Sequence, residues 1–138
     1  MFKKIVLAVD GSEHSVRSTQ YAIELAEKFS GSIEVVYVVD GDQSKADVLH
    51  FGDKHALDKM RIDKLSDVEK LMENSKIDHQ FHILHGEPGP MIVQYVNDHH
   101  VDCVVIGSRG LNKFQTFLLG SVSHKVVKQV DCPVLIVK

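Results

Sequence analysis

Short apolar runs alternate along the chain with longer stretches in which apolar residues recur every three or four positions. The short runs are rich in Val and Ile and end at Gly, Asp or Pro, as is typical of buried strands, whereas the longer spacing indicates amphipathic helices. The predicted strands are Lys4–Val9, Ile33–Val39, Gln80–His85, Asp102–Ile106 and Val134–Val137. The predicted helices are Glu13–Phe29, Lys54–Ser75, Pro90–His99 and Gly120–Val130. This alternation predicts an α/β fold with a parallel sheet and helices on both faces.

Finer features of the pattern give further expectations. Ser12 or a neighbour is expected to cap the first helix, and the run Gln80–His85 alternates as a strand near a sheet edge does. Two apolar helix stripes are expected to face the core, namely Ala22, Ile23, Ala26 and Phe29, and Leu57, Met60, Leu65, Val68 and Leu71. Residues 40–54 are predicted to be an irregular lead-in to the second helix, with a flap formed by Val48, Leu49 and Phe51 as the alternative.

Composition restricts the class of protein further. The chain has 138 residues, of which 43% are hydrophobic and 25% charged, and this predicts one globular domain over residues 1–138. The net charge of -3 disfavours a protein that binds nucleic acid through general phosphate attraction. No apolar run has the length of a membrane span, and the run at Ile5–Val9 is too short for a signal-peptide core, so the expected location is the cytoplasm. Cys103 and Cys132 adjoin apolar runs and are expected to be buried thiols.

The candidate chemistry lies near the end of the chain, where the run Val104–Ile106 stops at Gly107. Gly110 follows, and Gly120 and Ser121 stand where the last helix is predicted to start. Glycine lets the backbone approach a ligand closely, and helix N-termini attract anions such as phosphate. Spacing alone leaves a plain tight turn equally open.

The spacing Gly107-x2-Gly110-x9-Gly120-Ser121 resembles the ATP-binding motif of the universal stress protein family. Other segments resemble that family in the same order along the chain. They are Lys4–Ser15, Gly86-Glu87-Pro88, Gly120–Ser123 and Cys132–Val137. The resemblance covers Lys4 to Lys138. The chain differs from the commonest family form just after the second glycine, where it has Asn112-Lys113-Phe114.

The resemblance implies a five-stranded parallel sheet in the order 3-2-1-4-5 and positions for ATP. Asp10 is expected beside the adenine and ribose, and Val38 or Val39 along the adenine. The ribose and phosphates are expected at the glycine loop and the following helix start. The residues concerned are Gly107, Ser108, Arg109, Gly110, Gly120, Ser121 and Val122.

Metal and cofactor motifs of other classes are missing from the sequence. It contains neither Gly-x4-Gly-Lys-Ser/Thr nor, after the first strand, Gly-x-Gly-x2-Gly. No pair among the nine histidines has a convincing zinc spacing, so no protein-held metal is expected. An Mg²⁺ ion carried by the phosphates fits the resemblance, since Mg²⁺ needs few protein ligands.

Catalytic machinery is not evident either. Arg109, Lys113 and Lys125 are candidates for neutralising phosphate charge, and Ser121 or Ser123 for accepting a phosphoryl group. No general base is identified, and ribose binding explains Asp10. The leading hypothesis is an ATP-binding, stress-responsive dimer. The alternatives are a slow ATPase or self-phosphorylating enzyme, and an interaction module that binds no nucleotide.

Assembly is predicted from the last strand. If Val134, Leu135, Ile136 and Val137 form a sheet edge, pairing with a second copy would cover their unpaired backbone. The family resemblance likewise implies a homodimer.

Overall fold

The computed structural model describes residues 1–40, 54–108 and 119–138, and it describes only the backbone of residues 13 and 54–64. Strands and helices alternate along these ranges. In chain order they are β1 (Lys4–Val9), α1 (Glu13–Phe29), β2 (Ser32–Val39), α2 (Lys54–Ser75), β3 (His79–His85), α3 (Pro88–Asp98), β4 (Cys103–Gly107), α4 (Ser121–Gln129) and β5 (Val134–Val137).

The five strands form one parallel sheet in the order β3-β2-β1-β4-β5. Ile5 of β1 lies in register with Ile33 of β2 on one side and with Cys103 of β4 on the other. The α/β class and the strand order are therefore confirmed. As expected from its alternating sequence, β3 is an edge strand.

The sheet separates two apolar cores, because side chains of a strand alternate between its faces. One face packs against α1 and α2, and its buried residues include Ile5, Leu7, Ile33, Val35, Val105, Ala22, Ala26, Leu65, Val68 and Met72. The other face packs against α3 and α4, and its buried residues include Val6, Ala8, Val36, Val38, Val104, Ile106, Ile92, Tyr95, Val96 and Val126. Both faces are covered, as the continuous apolar strands require.

Some local expectations are corrected. In α2 Leu65, Val68 and Met72 are buried, whereas Leu71 is only half-buried. Phe29 is 36% exposed and meets Phe2 edge-on at a ring distance of 5.1 Å, at the margin of the core. Helix α3 begins at Pro88 rather than Pro90, because Pro is well suited to the first helical positions. The side chains of Leu57 and Met60, and the segment containing Val48, Leu49 and Phe51, lie outside the described residues.

Candidate functional site

A crevice is expected where β1 and β4 end side by side. The two strands are neighbours in the sheet, but α1, which follows β1, and α4, the next described helix after β4, pack on opposite faces. The connections that follow the two strands therefore lead to opposite faces of the sheet, which leaves a gap between them at the carboxyl ends of the strands. In open α/β sheets, ligands bind outside the carboxyl ends of the strands at this position.

Asp10 follows β1 directly, and a tight turn fixes its carboxylate. Its Oδ1 accepts hydrogen bonds from the Ser12 amide at 2.9 Å and from the Ser15 hydroxyl at 2.8 Å. The Asp10 amide donates in turn to the Ser15 hydroxyl at 2.8 Å. Gly11 permits this turn because its φ of 82° is rarely adopted by other residues. Both bonds of the turn fall on Oδ1, and neither uses Oδ2.

Ser12 occupies the N-cap position of α1, but its side chain does not cap the helix. The Ser15 amide donates instead to the Ser12 carbonyl at 3.1 Å. Ser12 is 7% exposed, and its hydroxyl has no hydrogen-bond partner among the described residues. Ser12 is therefore the N-cap residue, as expected, but the side-chain hydrogen bond of a serine cap is missing.

Two hydrogen bonds tie the end of β4 to the start of α4, and a third ties it to the end of β5. The Gly120 amide donates to the Ser108 carbonyl at 2.8 Å, and the Ser108 amide donates to the Val137 carbonyl at 2.8 Å. The Ser123 hydroxyl donates to the Gly107 carbonyl at 2.6 Å. The bonds from Gly120 to Ser108 and from Ser123 to Gly107 hold the N-terminus of α4 at the end of β4.

Gly120 is the N-cap residue of α4, and its backbone is extended, with φ -60° and ψ 157°. Glycine provides no side chain to occupy the first amides of the helix. Ser121 is exposed and Val122 is half-buried. The first turn of α4 can therefore direct backbone N–H groups and the Ser121 hydroxyl toward an anion.

Val38 and Val39 stand at the same edge as Asp10. Val9 is in register with Tyr37, so Asp10 and Val38 are the next residues along their two strands. Val38 and Val39 are 7% and 2% exposed, and the Val39 carbonyl accepts a hydrogen bond from the Gly86 amide at 2.9 Å. The Val39 carbonyl is thus engaged by the chain itself, and Val38 is the residue beside Asp10.

The predicted site residues therefore fall into two groups. Asp10, Val38, Val39, Gly107, Ser108, Gly120, Ser121 and Val122 lie at the carboxyl edge of the sheet or at the helix start facing it. Arg109 and Gly110 lie outside the described residues, as do Asn112, Lys113 and Phe114.

Sequence reasoning missed the orienting role of Ser15 and the unpartnered hydroxyl of Ser12. The first of these had a signal, because an Asp followed by small polar residues is typical of a side-chain-stabilised turn. No sequence signal predicts the hydrogen bond from Ser123 to Gly107, because the two residues are distant along the chain.

Two of the residues considered for phosphoryl chemistry have structural contacts. Ser123 is 4% exposed and its hydroxyl is bonded to Gly107. The stem of Lys125 lies against the first turn of α3, where a Cβ on Gly89 would approach Lys125 Cδ to 3.0 Å. Ser121, in the first turn of α4, is exposed.

Cys103 begins β4 and Cys132 precedes β5, so both thiols lie at the opposite, amino-terminal edge of the sheet. Cys103 is buried as expected, but Cys132 is only half-buried. Burial raises the pKa of the Cys103 thiol to about 11 and also raises the pKa of the Cys132 thiol. A raised pKa leaves little reactive thiolate at neutral pH. Within residues 1–40, 54–108 and 119–138, no three His, Cys, Asp or Glu side chains are grouped so as to hold a metal ion. Among the described helices, none is long and apolar enough to cross a membrane.

Comparison with protein families matches the universal stress protein family over residues 1–138. This chain belongs to that family. Universal stress protein YxiE of Bacillus subtilis is 30% identical over 149 residues, covering 100% of both chains. A universal stress protein of Thermus aquaticus is 32% identical over 140 residues, again covering 100% of both. Both alignments thus cover all 138 residues of this universal stress protein.

Solved structures show the same fold. The structure of the protein MJ0577 matches with a TM-score of 0.84 and 28% identity, covering 100% of this chain and 96% of that one. An Archaeoglobus fulgidus universal stress protein in complex with dAMP matches with a TM-score of 0.73, 22% identity and full coverage of both chains. Another universal stress protein, in complex with cAMP, has a TM-score of 0.72 and 20% identity, covering 99% of this chain and 96% of that chain.

Proposed function

We propose that this universal stress protein binds ATP in the crevice between the ends of β1 and β4, with residues 1–138 acting as one nucleotide-binding domain. One observation carries the proposal: a fixed carboxylate, Asp10, and a helix start without a capping side chain, Gly120, stand at the same edge of the sheet. A carboxylate oxygen accepts hydrogen bonds from sugar hydroxyls, and a helix N-terminus favours phosphate. A nucleotide contains both groups.

In this proposal each part of the nucleotide contacts a different part of the crevice. The ribose lies at Asp10 Oδ2, with the adenine beside Val38 at the end of β2. The phosphates extend toward the first turn of α4, where Ser121 and Val122 present their amides. The predicted contacts of Arg109 and Gly110 belong to the same proposal. Mg²⁺ enters with the phosphates, because the proposed site supplies few oxygen ligands of its own.

Two solved relatives support a nucleotide as the ligand class, since one is in complex with dAMP and the other with cAMP. Both ligands contain an adenine, a sugar and a phosphate. We assign ATP, rather than a monophosphate, on the resemblance of the glycine spacing to the ATP-binding motif. The nucleotide then acts as a signal that changes the protein's interactions, in a homodimer formed through β5.

Slow hydrolysis or self-phosphorylation is the second candidate, and the exposed hydroxyl of Ser121 favours it. The geometry around Asp10 favours binding without turnover. Its hydrogen-bond partners in the described turn are the Ser12 amide and the Ser15 hydroxyl, and neither is a base at neutral pH as a histidine is. Phosphate release above background that Ser121→Ala abolishes, with ATP affinity kept, would replace the binding proposal by the enzymatic one.

Titration calorimetry with ATP tests the binding proposal. Wild type is expected to bind, and Asp10→Ala to weaken binding at least about tenfold, because a charge-assisted hydrogen bond is lost. Asp67→Ala removes an exposed carboxylate from α2 and serves as the matched control. Equal affinities of wild type and Asp10→Ala would show that the ribose does not lie at Asp10, and no binding by wild type would favour the nucleotide-independent interaction module.

A further inference from the structure

The ring nitrogen Nε2 of His82, on the edge strand β3, is a buried polar atom without a partner. The side chain of His82 is 28% exposed, but Nε2 itself is shielded and has no hydrogen-bond partner among the described residues. Buried polar atoms are normally hydrogen-bonded, because losing water without gaining a partner is costly. His79 of the same strand shows the usual arrangement, since its Nδ1 lies 2.7 Å from the Ile77 carbonyl oxygen.

A carboxylate faces this nitrogen from the neighbouring strand β2. Oε1 of Glu34 lies 3.9 Å from His82 Nε2, and the Glu34 side chain is only 18% exposed. The gap is about 1 Å longer than a charge-assisted N–H···O hydrogen bond, which is roughly 2.8 Å. The two groups therefore stand close enough to pair after a small movement, but they are not hydrogen-bonded.

The other oxygen of Glu34 has different partners. The Tyr95 hydroxyl of α3 donates to Oε2 at 2.9 Å, and Lys4 Nζ of β1 lies 4.0 Å from the same oxygen. The Tyr95 ring lies 5.3 Å from the His82 ring and stacks on the His99 ring at 4.0 Å. In the described part of the chain, the titratable groups around His82 are thus Glu34 on β2, Tyr95 and His99 on α3, and Lys4 on β1. Of these four, Glu34 is the acid that faces Nε2.

We infer that proton uptake by His82 closes an ion pair with Glu34 that fastens the edge strand β3 to β2, so that mild acid strengthens this side of the fold. A protonated imidazole donates from both ring nitrogens and carries a positive charge. It therefore supplies the donor that Glu34 Oε1 faces. Strand β3 has β2 as its one neighbour in the sheet, so a side-chain link to β2 adds to its attachment.

The direction of the pH effect follows from linkage. In the unfolded chain Glu34 is not held beside His82, so the folded protein binds this proton more tightly than the unfolded chain does. An imidazole ordinarily titrates near about pH 6.5. The stabilising contribution of the ion pair is therefore present at pH 5.5 and is lost as the pH rises to 7.5. This inference concerns the α3 face of the sheet and does not depend on nucleotide binding.

Thermal unfolding of wild type, His82→Gln and Glu34→Gln at pH 7.5 and pH 5.5 tests the ion pair. On acidification the melting temperature of wild type is expected to gain about 3 °C relative to either variant, a modest shift because the pair is partly exposed. Glu34→Gln keeps an acceptor for Tyr95 while removing the charge. The double variant is expected to respond like either single variant, since the two residues act as one pair.

His85→Gln is the matched control, because it removes an exposed histidine of the same strand and is expected to keep the pH response of wild type. NMR of wild type provides a measurement that needs no variant: the carboxyl ¹³C shift of Glu34 is expected to change as His82 takes up its proton. The inference is overturned if wild type and His82→Gln respond equally to the change of pH. It is also overturned if the Glu34 carboxyl shift does not follow the protonation of His82.

Discussion

The hydroxyl of Ser123 donates a 2.6 Å hydrogen bond to the carbonyl oxygen of Gly107, joining the first turn of α4 to the end of β4. Ser123 is 4% exposed, so the bond is shielded from water. Together with the bond from the Gly120 amide to the Ser108 carbonyl, it sets the distance between the strand end and the helix N-terminus. The geometry of the proposed phosphate site therefore depends on a side chain that does not itself contact the ligand.

Ser123→Ala is expected to lower the free energy of unfolding by about 1 kcal/mol, because the half-buried Gly107 carbonyl loses its hydrogen-bond partner. It is also expected to weaken ATP binding, since the start of α4 is held less firmly. Urea denaturation measures the first effect and calorimetry the second.

Ser121→Ala is the matched control on the same turn, because its hydroxyl is exposed. Its stability should stay within about 0.5 kcal/mol of wild type, while its ATP affinity falls. If Ser123→Ala is as stable as wild type, the bond to Gly107 does not hold the turn.

Tyr95 provides a prediction about pH. Its hydroxyl donates to Glu34 Oε2 at 2.9 Å, and burial, then the bond to Glu34 and the charge of Glu34, raise the pKa of Tyr95 above its ordinary value of 10. Because Tyr95 ionises at a lower pH in the unfolded chain than in the folded one, the stability contributed by its protonated hydroxyl is fully present below pH 10. That contribution is lost as the pH rises above 10.

The free energy of unfolding of wild type should therefore fall more steeply above pH 10 than that of Tyr95→Phe, which has no phenol to ionise at this position. Tyr21→Phe is the control, since Tyr21 is 52% exposed. Identical alkaline slopes for wild type and Tyr95→Phe would show that Tyr95 ionises equally easily in both states.

The thiols are expected to react slowly in the folded protein. Cys103 is 3% exposed, and burial raises its pKa to about 11. In Cys132→Ser, which leaves Cys103 as the remaining thiol, reaction with a disulfide reagent at pH 8 should be far slower than in the same variant unfolded in urea. Equally fast reaction in both states would contradict the burial of Cys103.

The proposed dimer makes β5 the interface. Leu135 on this edge strand is 37% exposed, and a charge on an edge strand opposes pairing with another strand. Leu135→Glu is therefore expected to convert a dimer to a monomer in light scattering. Val127→Glu is the control, since Val127 is 46% exposed on α4. A Leu135→Glu variant that remains dimeric would place the interface elsewhere.

The sequence predicted the elements well and the detailed contacts poorly. Alternating apolar patterns identified the strands and helices, but a pattern within one strand does not specify its neighbours, so the order β3-β2-β1-β4-β5 came only from the family resemblance. Helical spacing permitted either Leu71 or Met72 as a core residue, and packing against the sheet selected Met72. The bond from Ser123 to Gly107 depends on the tertiary arrangement, whereas the bonds between Ser15 and Asp10 lie within one local turn.

The central claim is that a nucleotide binds at the edge formed by the ends of β1 and β4. The most direct measurement is an amide NMR titration of isotope-labelled wild type with ATP. The expected result is a set of saturating shifts at Asp10, Ser108, Ser121 and Val122, with none in the groove between α1 and α2 around Gln20 and Asn74. Absence of saturating shifts, or shifts confined to that groove, would contradict the account.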